Sequence, residues 1–507
     1  MGRGIAVFVL AFLLLVSFGS CRHEPTGDAR YIPRFHFTVG ADWTGEPVGL
    51  VYDEGVYHLF YQYNPSGSMF GDIHWGHAVS RDLFRWQIEP VALSPDSLGY
   101  LGAGSVVVDR GNTSGLGDGG NAPFLAFYKY ANEESGRDIF LAYSKDKGLS
   151  WSRYGKIALP DADRYAFRSP RVSWNHSLGA WLMTLSTGSS IRFYKSPDGK
   201  EWTFLSAFAD PAERGTTWEG SDFFPLEASV GDTCVTKWVL SVTMDNVLAG
   251  SLPAMRYYVG DFDGVSFLPT QTKELWLDYG KDNRSGVICA GIPEASPVYL
   301  GWMNNWEYAN LLPTSAWRGN MTLPRRLGLR AEGNHFLLAS SIAEGLGARQ
   351  GDSCRVDAVE LSDERCVKKE FPYPDGAFMI RLRFDNADNR AIWKARDYGI
   401  RLKTRSGREV AIGYQNELSY YYINRDGLLG ADAPEGFAGL MGAGYRSDDP
   451  VSEWCIVYDG NTMELFASGG RSVISALVYP DEAFSQMELF AESGSVTLLE
   501  ASIIQLK

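Results

Sequence analysis

The chain has 507 residues, 45% hydrophobic and 13% aromatic, with 55 Gly and 23 Pro. This composition excludes a disordered chain, and the length exceeds one ordinary domain and suits two large all-β units. With 47 Lys and Arg against 61 Asp and Glu the net charge is −14, which repels phosphate backbones and excludes nucleic acid as a partner; the aromatic excess suits a neutral, hydroxyl-rich ligand.

The N-terminus reads as a targeting segment. Arg3 precedes an apolar run from Ile5 to Val16, then Ser17-Phe18-Gly19-Ser20-Cys21. A basic start, an apolar stretch and small residues before a cut site predict a signal peptide over residues 1–20. The run is shorter than the roughly 20 apolar residues of a membrane span. Phe18–Cys21 resembles a bacterial lipobox, so Cys21 is the expected lipidation site and residues 21–30 a tether to the outer leaflet of a membrane, in the periplasm or at the cell surface. An ordinary signal peptide with an incidental Cys is the alternative. Cys234, Cys289, Cys354, Cys366 and Cys455 show no metal-ligand spacing. Cys354 and Cys366 either bridge or stay as buried thiols. No metal and no cofactor is expected.

From residue 31 on, apolar runs of strand length recur between Gly, Asp, Asn and Pro. Tyr57–Tyr61, Ser105–Val108, Phe124–Tyr128, Trp181–Leu185 and Val239–Val242 are expected strands. A quasi-repeat adds topology. Ser80-Arg81-Asp82-Leu83-Phe84-Arg85-Trp86 returns as Ser144-Lys145-Asp146 closed by Trp151, and as Ser196-Pro197-Asp198 closed by Trp202, each after a β run. Val259–Gly264 is a looser fourth copy. One Ser-x-Asp turn per small sheet predicts a β-propeller over residues 31–345; unrelated hairpins of a sandwich could carry the same turns.

Composition then shifts. Thirteen of the 15 Trp lie at or before Trp317, and residues 331–352 are small and polar-leaning. Alternating strands resume at Phe378–Phe384, Gly399–Lys403 and Val496–Leu499, which predicts a β-sandwich over residues 350–507.

Several stretches carry a resemblance. They include Tyr57-His58-Leu59-Phe60-Tyr61-Gln62-Tyr63-Asn64-Pro65, His74-Trp75-Gly76-His77, Trp218-Glu219, Asp222-Phe223-Phe224-Pro225, Leu277–Asp282, Gly301-Trp302-Met303-Asn304-Asn305-Trp306 and Pro313–Gly319. In this order the chain resembles glycoside hydrolase family 32, the secreted β-fructosidases. The resemblance implies a five-bladed propeller followed by a C-terminal β-sandwich, a fructan or related oligo- or polysaccharide as substrate, and retaining hydrolysis. It is weaker in the sandwich.

The departures concern the chemistry. The family nucleophile is the Asp of W-M-N-D-P-N-G; here Trp43-Thr44-Gly45-Glu46-Pro47-Val48-Gly49 puts Glu46 at that position. The family's R-D-P reads Arg168-Ser169-Pro170, without the carboxylate that holds sugar hydroxyls, and E-C-P reads Glu219-Gly220-Ser221. A retaining glycosidase needs two carboxyl groups roughly 5–5.5 Å apart, one protonated and one ionised. Glu46 and Glu219 are the expected pair, as nucleophile and acid/base. Glu reaches about 1.5 Å further than Asp, and a misplacement near 1 Å costs about 100-fold in rate, or roughly 2.7 kcal/mol. The missing Asp removes hydrogen bonds to the sugar worth about 1.5–3 kcal/mol each.

Further candidates surround this pair. Trp43, Trp75, Trp302 and Trp306 are either core or sugar-stacking. Gln62 and Asn64 offer amides to hydroxyls or form a turn. Arg168 hydrogen-bonds substrate or pairs with an acid, Ser169 lines the pocket beside it, Asp222 orients a loop or Glu219 or binds sugar, and Asn305 and Glu307 are further pocket candidates. Asp42 is an alternative nucleophile. Two function classes follow: a secreted β-fructosidase-type hydrolase, or a carbohydrate-binding lipoprotein that kept the pocket and lost the chemistry. An arabinofuranoside-type activity fits less well, because two Asp and a Glu are not reproduced.

Overall fold

The computed structural model describes residues 27–507 apart from 120, 132–137, 162–163, 214, 246–253, 271–273, 293–296, 374–375, 388–390, 392, 431–432 and 446–448. The expected signal peptide, Cys21 and most of the tether lie outside the described residues. Among the described residues the chain is all-β, with short 3-10 turns and no α-helix.

Five small sheets come first, in chain order. Their first strands are Asp42–Asp53, Leu101–Val108, Arg168–Asn175, Thr217–Val230 and Arg284–Ile288. Each of these packs beside the first strand of the next sheet, and Arg284–Ile288 packs back on Asp42–Asp53. Trp317–Arg318 runs parallel to Asp42–Asp53, with Trp317 opposite Asp42, so a late segment completes the first sheet. His335–Ile342 is the outer strand of the fifth sheet.

The Ser-x-Asp quasi-repeat is one hydrogen-bonded device used three times. Ser80 Oγ accepts the Leu83 N–H at 2.9 Å, Asp82 Oδ1 accepts the Phe84 and Arg85 N–H, and the Trp86 indole closes on the Leu83 carbonyl at 2.8 Å. Ser144, Asp146 and Trp151 repeat this on Gly148, and Ser196, Asp198 and Trp202 on Gly199. The turns need left-handed backbone, met by Gly148 (φ 92°) and Gly199 (φ 73°), and by Leu83 (φ 67°) at a cost in strain. In each case the turn joins the third strand of a sheet to its fourth.

From Gln350 two larger sheets of seven and six strands enclose one core that includes Phe378, Ile380, Leu382, Ile400, Leu402, Trp454 and Ile456. Alternation along Phe378–Asp385 puts Phe378, Ile380, Leu382 and Phe384 inward and Arg381 and Arg383 outward. All five described cysteines are free. Cys354 is half-buried on the seven-stranded sheet and Cys366 is exposed beside the other, so the expected bridge does not form, and neither thiol is a buried one.

A buried polar seam joins the small sheets to the large ones. Arg325 pairs with Asp278 and Glu464, each at 2.8 Å; the His36 ring lies 2.9 Å from Asp459 and 3.2 Å from Glu464; Arg425 pairs with Asp282 at 2.6 Å. Glu464 and Asp459 come from the seven-stranded sheet, Arg325 opens a strand of the fifth small sheet, and His36 and Asp278 lie in segments outside the strands. Buried charges of this kind persist only when fully paired.

Candidate active site

The first strands break register at one end. The slips fall between Thr44 and Gly49, Leu101 and Gly104, Glu219 and Asp222, and Arg284 and Val287, and Arg168–Asn175 slips near Arg168. A bulge leaves a residue out of the ladder and re-aims its side chain. In three of the five a charged residue precedes a small one in the left-handed region: Arg168-Ser169 (φ 47°), Glu219-Gly220 (φ 47°) and Arg284-Ser285 (φ 48°). Serine adopts that φ rarely, and backbone held there marks functional sites.

Four of the five bulges open into one cavity of about 590 Å³. Glu46, Gln62, Lys129, Arg168, Ser169 and Glu219 line it, and Phe70, Tyr100, Phe167 and Trp306 add aromatic wall. Arg168 Nη1 donates to Glu219 Oε1 at 2.6 Å, with half of the Arg168 side chain in solvent. Glu46 is 7% exposed. Its Oε1 accepts the Trp306 indole N–H at 3.0 Å. Burial and the nearby Glu219 charge raise the Glu46 carboxyl above its ordinary range, opposed by hydrogen bonds from Ser285 and Trp306 and by the Arg284 charge. Arg284 is itself ion-paired with Asp245. Burial and the adjacent Arg168 lower the Lys129 ammonium, partly offset by Glu219.

The structure therefore brings Glu46, Glu219, Gln62, Arg168 and Ser169 together, and Gln62 Oε1 has no hydrogen-bond partner among the described residues. Other sequence expectations are corrected. Trp43, Trp75 and Trp302 are fully buried. They support the pocket from behind: Trp75 donates to the Gly102 carbonyl and Trp302 to the Thr44 carbonyl, both at 3.0 Å, and Trp43 stacks on Trp306 at 5.9 Å. The tryptophan that faces the pocket is Trp306. Asn64 forms a turn instead of a sugar contact, accepting the Ser66 N–H and donating to the Met69 carbonyl. Asn305 is spent on the Lys281 carbonyl and the Glu307 N–H. Glu307 stands outside the cavity lining, against Gly436. Asp222 faces a different cavity. Asp42 accepts the Tyr63 hydroxyl and does not line the pocket.

Lys129, Arg284, Ser285 and Phe70 escaped the sequence reading. For Arg284-Ser285 a signal existed, because it repeats Arg168-Ser169: a cation followed by a small residue at a strand start. Lys129 and Phe70 carry no local signature, since only the packing of neighbouring sheets turns them toward Glu219 and Trp306.

Residues 36–340 match the Glycosyl hydrolases family 32 N-terminal domain, and residues 352–505 the Glycosyl hydrolases family 32 C terminal. The chain is 34% identical to a levanase of Bacillus subtilis (strain 168), over 100% of this chain and 75% of that protein. It is 30% identical to a levanbiose-producing levanase of the same organism, over 99% and 97%. Among solved structures it is similar to the exo-inulinase of Aspergillus awamori, with a TM-score of 0.84, 26% identity, and 94% and 98% of the two chains covered.

Proposed function

Because the chain belongs to glycosyl hydrolases family 32, and is a glycosidase of the β-fructosidase type, we propose that it hydrolyses a fructan or related furanoside outside the cell, with retention of configuration. Glu46 acts as nucleophile and Glu219 as acid/base. Gln62, Arg168 and Trp306 bind the sugar. The five small sheets form a five-bladed propeller over residues 31–345, supported by the ring of first strands, and residues 350–507 form a β-sandwich. Secretion by the 1–20 segment and anchoring through Cys21 complete the reading; relatives of the exo-inulinase kind carry the word extracellular in their names.

One observation carries the mechanism: two carboxyl side chains from different sheets line one sugar-sized hollow and feel each other's charge. Two such groups whose environments differ are the arrangement that separates an acid from a nucleophile. Arg168 occupies Glu219 in the resting site, so substrate displaces it or shares it before proton transfer. The test is hydrolysis of levan, inulin and sucrose by the purified chain beside Glu219→Gln and Glu46→Gln. Turnover lost in both variants supports the assignment. Ser169 and the raised Glu46 carboxyl favour a second reading, a carbohydrate binder. Sugar binding without turnover in the parent protein selects it.

A further inference from the structure

Three of the strands that line the first pocket also line a second cavity, of about 540 Å³, and Leu101–Val108 gives Leu101 to the first and Val107 to the second. Arg168–Asn175 gives Arg168 and Ser169 to the first and Arg171, Trp174 and Asn175 to the second; Thr217–Val230 gives Glu219 to the first and Asp222 and Phe223 to the second. Arg171 stands between them, interacting electrostatically with both Glu46 and Asp222, its guanidinium donating to the Val48, Gly104 and Ser285 carbonyls.

The walls of this rear cavity are aromatic and partly open. Trp174 meets Trp181 edge-to-face at 5.1 Å, and Trp238 stacks on Phe223 at 4.5 Å and 26°. Trp174 and Trp238 stay half-buried, with surface turned into the hollow. Asp222 Oδ2 accepts the Ile288 N–H at 3.1 Å, and its carboxyl, pushed up to about 6 by burial, faces the same space. Arg171 is 5% exposed, and its Nε has no hydrogen-bond partner among the described residues. The volume falls in the roughly 300–1,000 Å³ range of small-molecule sites, which combine apolar walls with a few aimed polar groups.

The chemistry narrows the ligand. Flat indole faces suit the C–H face of a sugar ring, and a carboxyl suits its hydroxyls. An anion is disfavoured: Asp222 lines the hollow, Arg171 is committed to three carbonyls, and Arg110 at the edge is paired with Asp53 at 2.8 Å. A wholly apolar ligand would leave Arg171 Nε without a partner and add nothing to the single Ile288 N–H that the Asp222 carboxyl holds, which is costly in a desolvated site. We propose that this rear cavity is a second carbohydrate site, taking one neutral mono- or disaccharide, with Trp174 and Trp238 as stacking walls and Asp222 as hydroxyl acceptor. It goes beyond the hydrolytic reading and does not depend on it.

Fructose and sucrose titrated into the full chain, followed by tryptophan fluorescence and calorimetric stoichiometry, are expected to fill two classes of site. Trp174→Ala weakens one class by about tenfold or more, the equivalent of about 1.4 kcal/mol, and leaves the other; Trp306→Ala does the reverse. Asp222→Asn keeps the side-chain volume and reproduces the Trp174→Ala effect, should loss of the indole unfold the sheet, which melting would reveal. Binding of a single class that Trp306→Ala removes and that Trp174→Ala and Asp222→Asn leave alone overturns the proposal, as does the absence of sugar binding altogether. Hydrolysis is scored separately, so lost turnover with the rear class intact counts against the catalytic assignment alone.

Discussion

Trp306 donates its indole N–H to Glu46 Oε1 at 3.0 Å while stacking on the buried Trp43 at 5.9 Å. The bond favours the charged carboxylate, which a nucleophile must be, against burial and Glu219, which favour the neutral acid. Trp306→Phe keeps the ring and removes the donor. The Glu46 carboxyl then rises further, so the acid limb of the kcat/KM–pH profile moves to higher pH. A hydrogen bond to a charge is worth about 1.5–3 kcal/mol, so a loss of about 10- to 100-fold is expected near that limb, shrinking as pH rises.

Glu46→Asp with Ser169→Asp restores the carboxylates of the family pattern. Asp shortens the reach at 46 by about 1.5 Å. Asp is among the residues that tolerate the left-handed φ of 47° at position 169. The new carboxylate supplies charge-assisted bonds to sugar hydroxyls of about 1.5–3 kcal/mol. Turnover of levan or inulin is expected to rise at least about tenfold over the parent chain. Steady-state kcat/KM checks it, and an unchanged or lower value means the natural ligand differs from a family-type fructan.

The seam between the small and large sheets sets stability. Arg325 lies fully buried between Asp278 and Glu464. Arg325→Met leaves buried Asp278 without its cation and Glu464 with His36 alone, an arrangement that costs about 3–5 kcal/mol. Chemical denaturation should report a loss of that size, with both parts of the chain destabilised because the seam is shared.

His36 gives that seam a pH dependence. Its hydrogen bonds to Asp459 and Glu464, with their charges, outweigh burial and raise its ring to about 9 from 6.5. A raised histidine contributes stability that is complete below the unfolded value near 6.5 and fades as pH climbs through about 9. The contribution is on the order of 3 kcal/mol. Thermal midpoints should therefore fall between pH 6.5 and 9, and His36→Gln should flatten that slope while lowering the midpoint at pH 6.

Much was legible because it is local. The Ser-x-Asp turn closes through hydrogen bonds within seven or eight residues, so Ser80, Ser144 and Ser196 announce their hairpins wherever the chain places them. Alternation in Phe378–Asp385 declares which residues face a core. Glu46 and Glu219, the pair proposed as catalytic, were expected through the family pattern, and both line one hollow. Asn64 and Asn305 misled because an amide that binds a sugar and one that braces a loop are the same residue in sequence.

What the amino-acid order determined by itself is the all-β character and the repeating turns, since each rests on neighbours in the chain; the family pattern added the expectation of a carboxyl pair at positions 46 and 219. What only the tertiary structure decided is which side chains meet. Three tryptophans of the same motif class became buried supports and Trp306 became wall, because sheet packing decides exposure. Bulges that release a residue from the ladder depend on the partner strand, so the meeting of Glu46 with Trp306, of Glu219 with Arg168, and of Trp174 with Asp222 in a second hollow follows from strands brought together across more than forty residues of sequence.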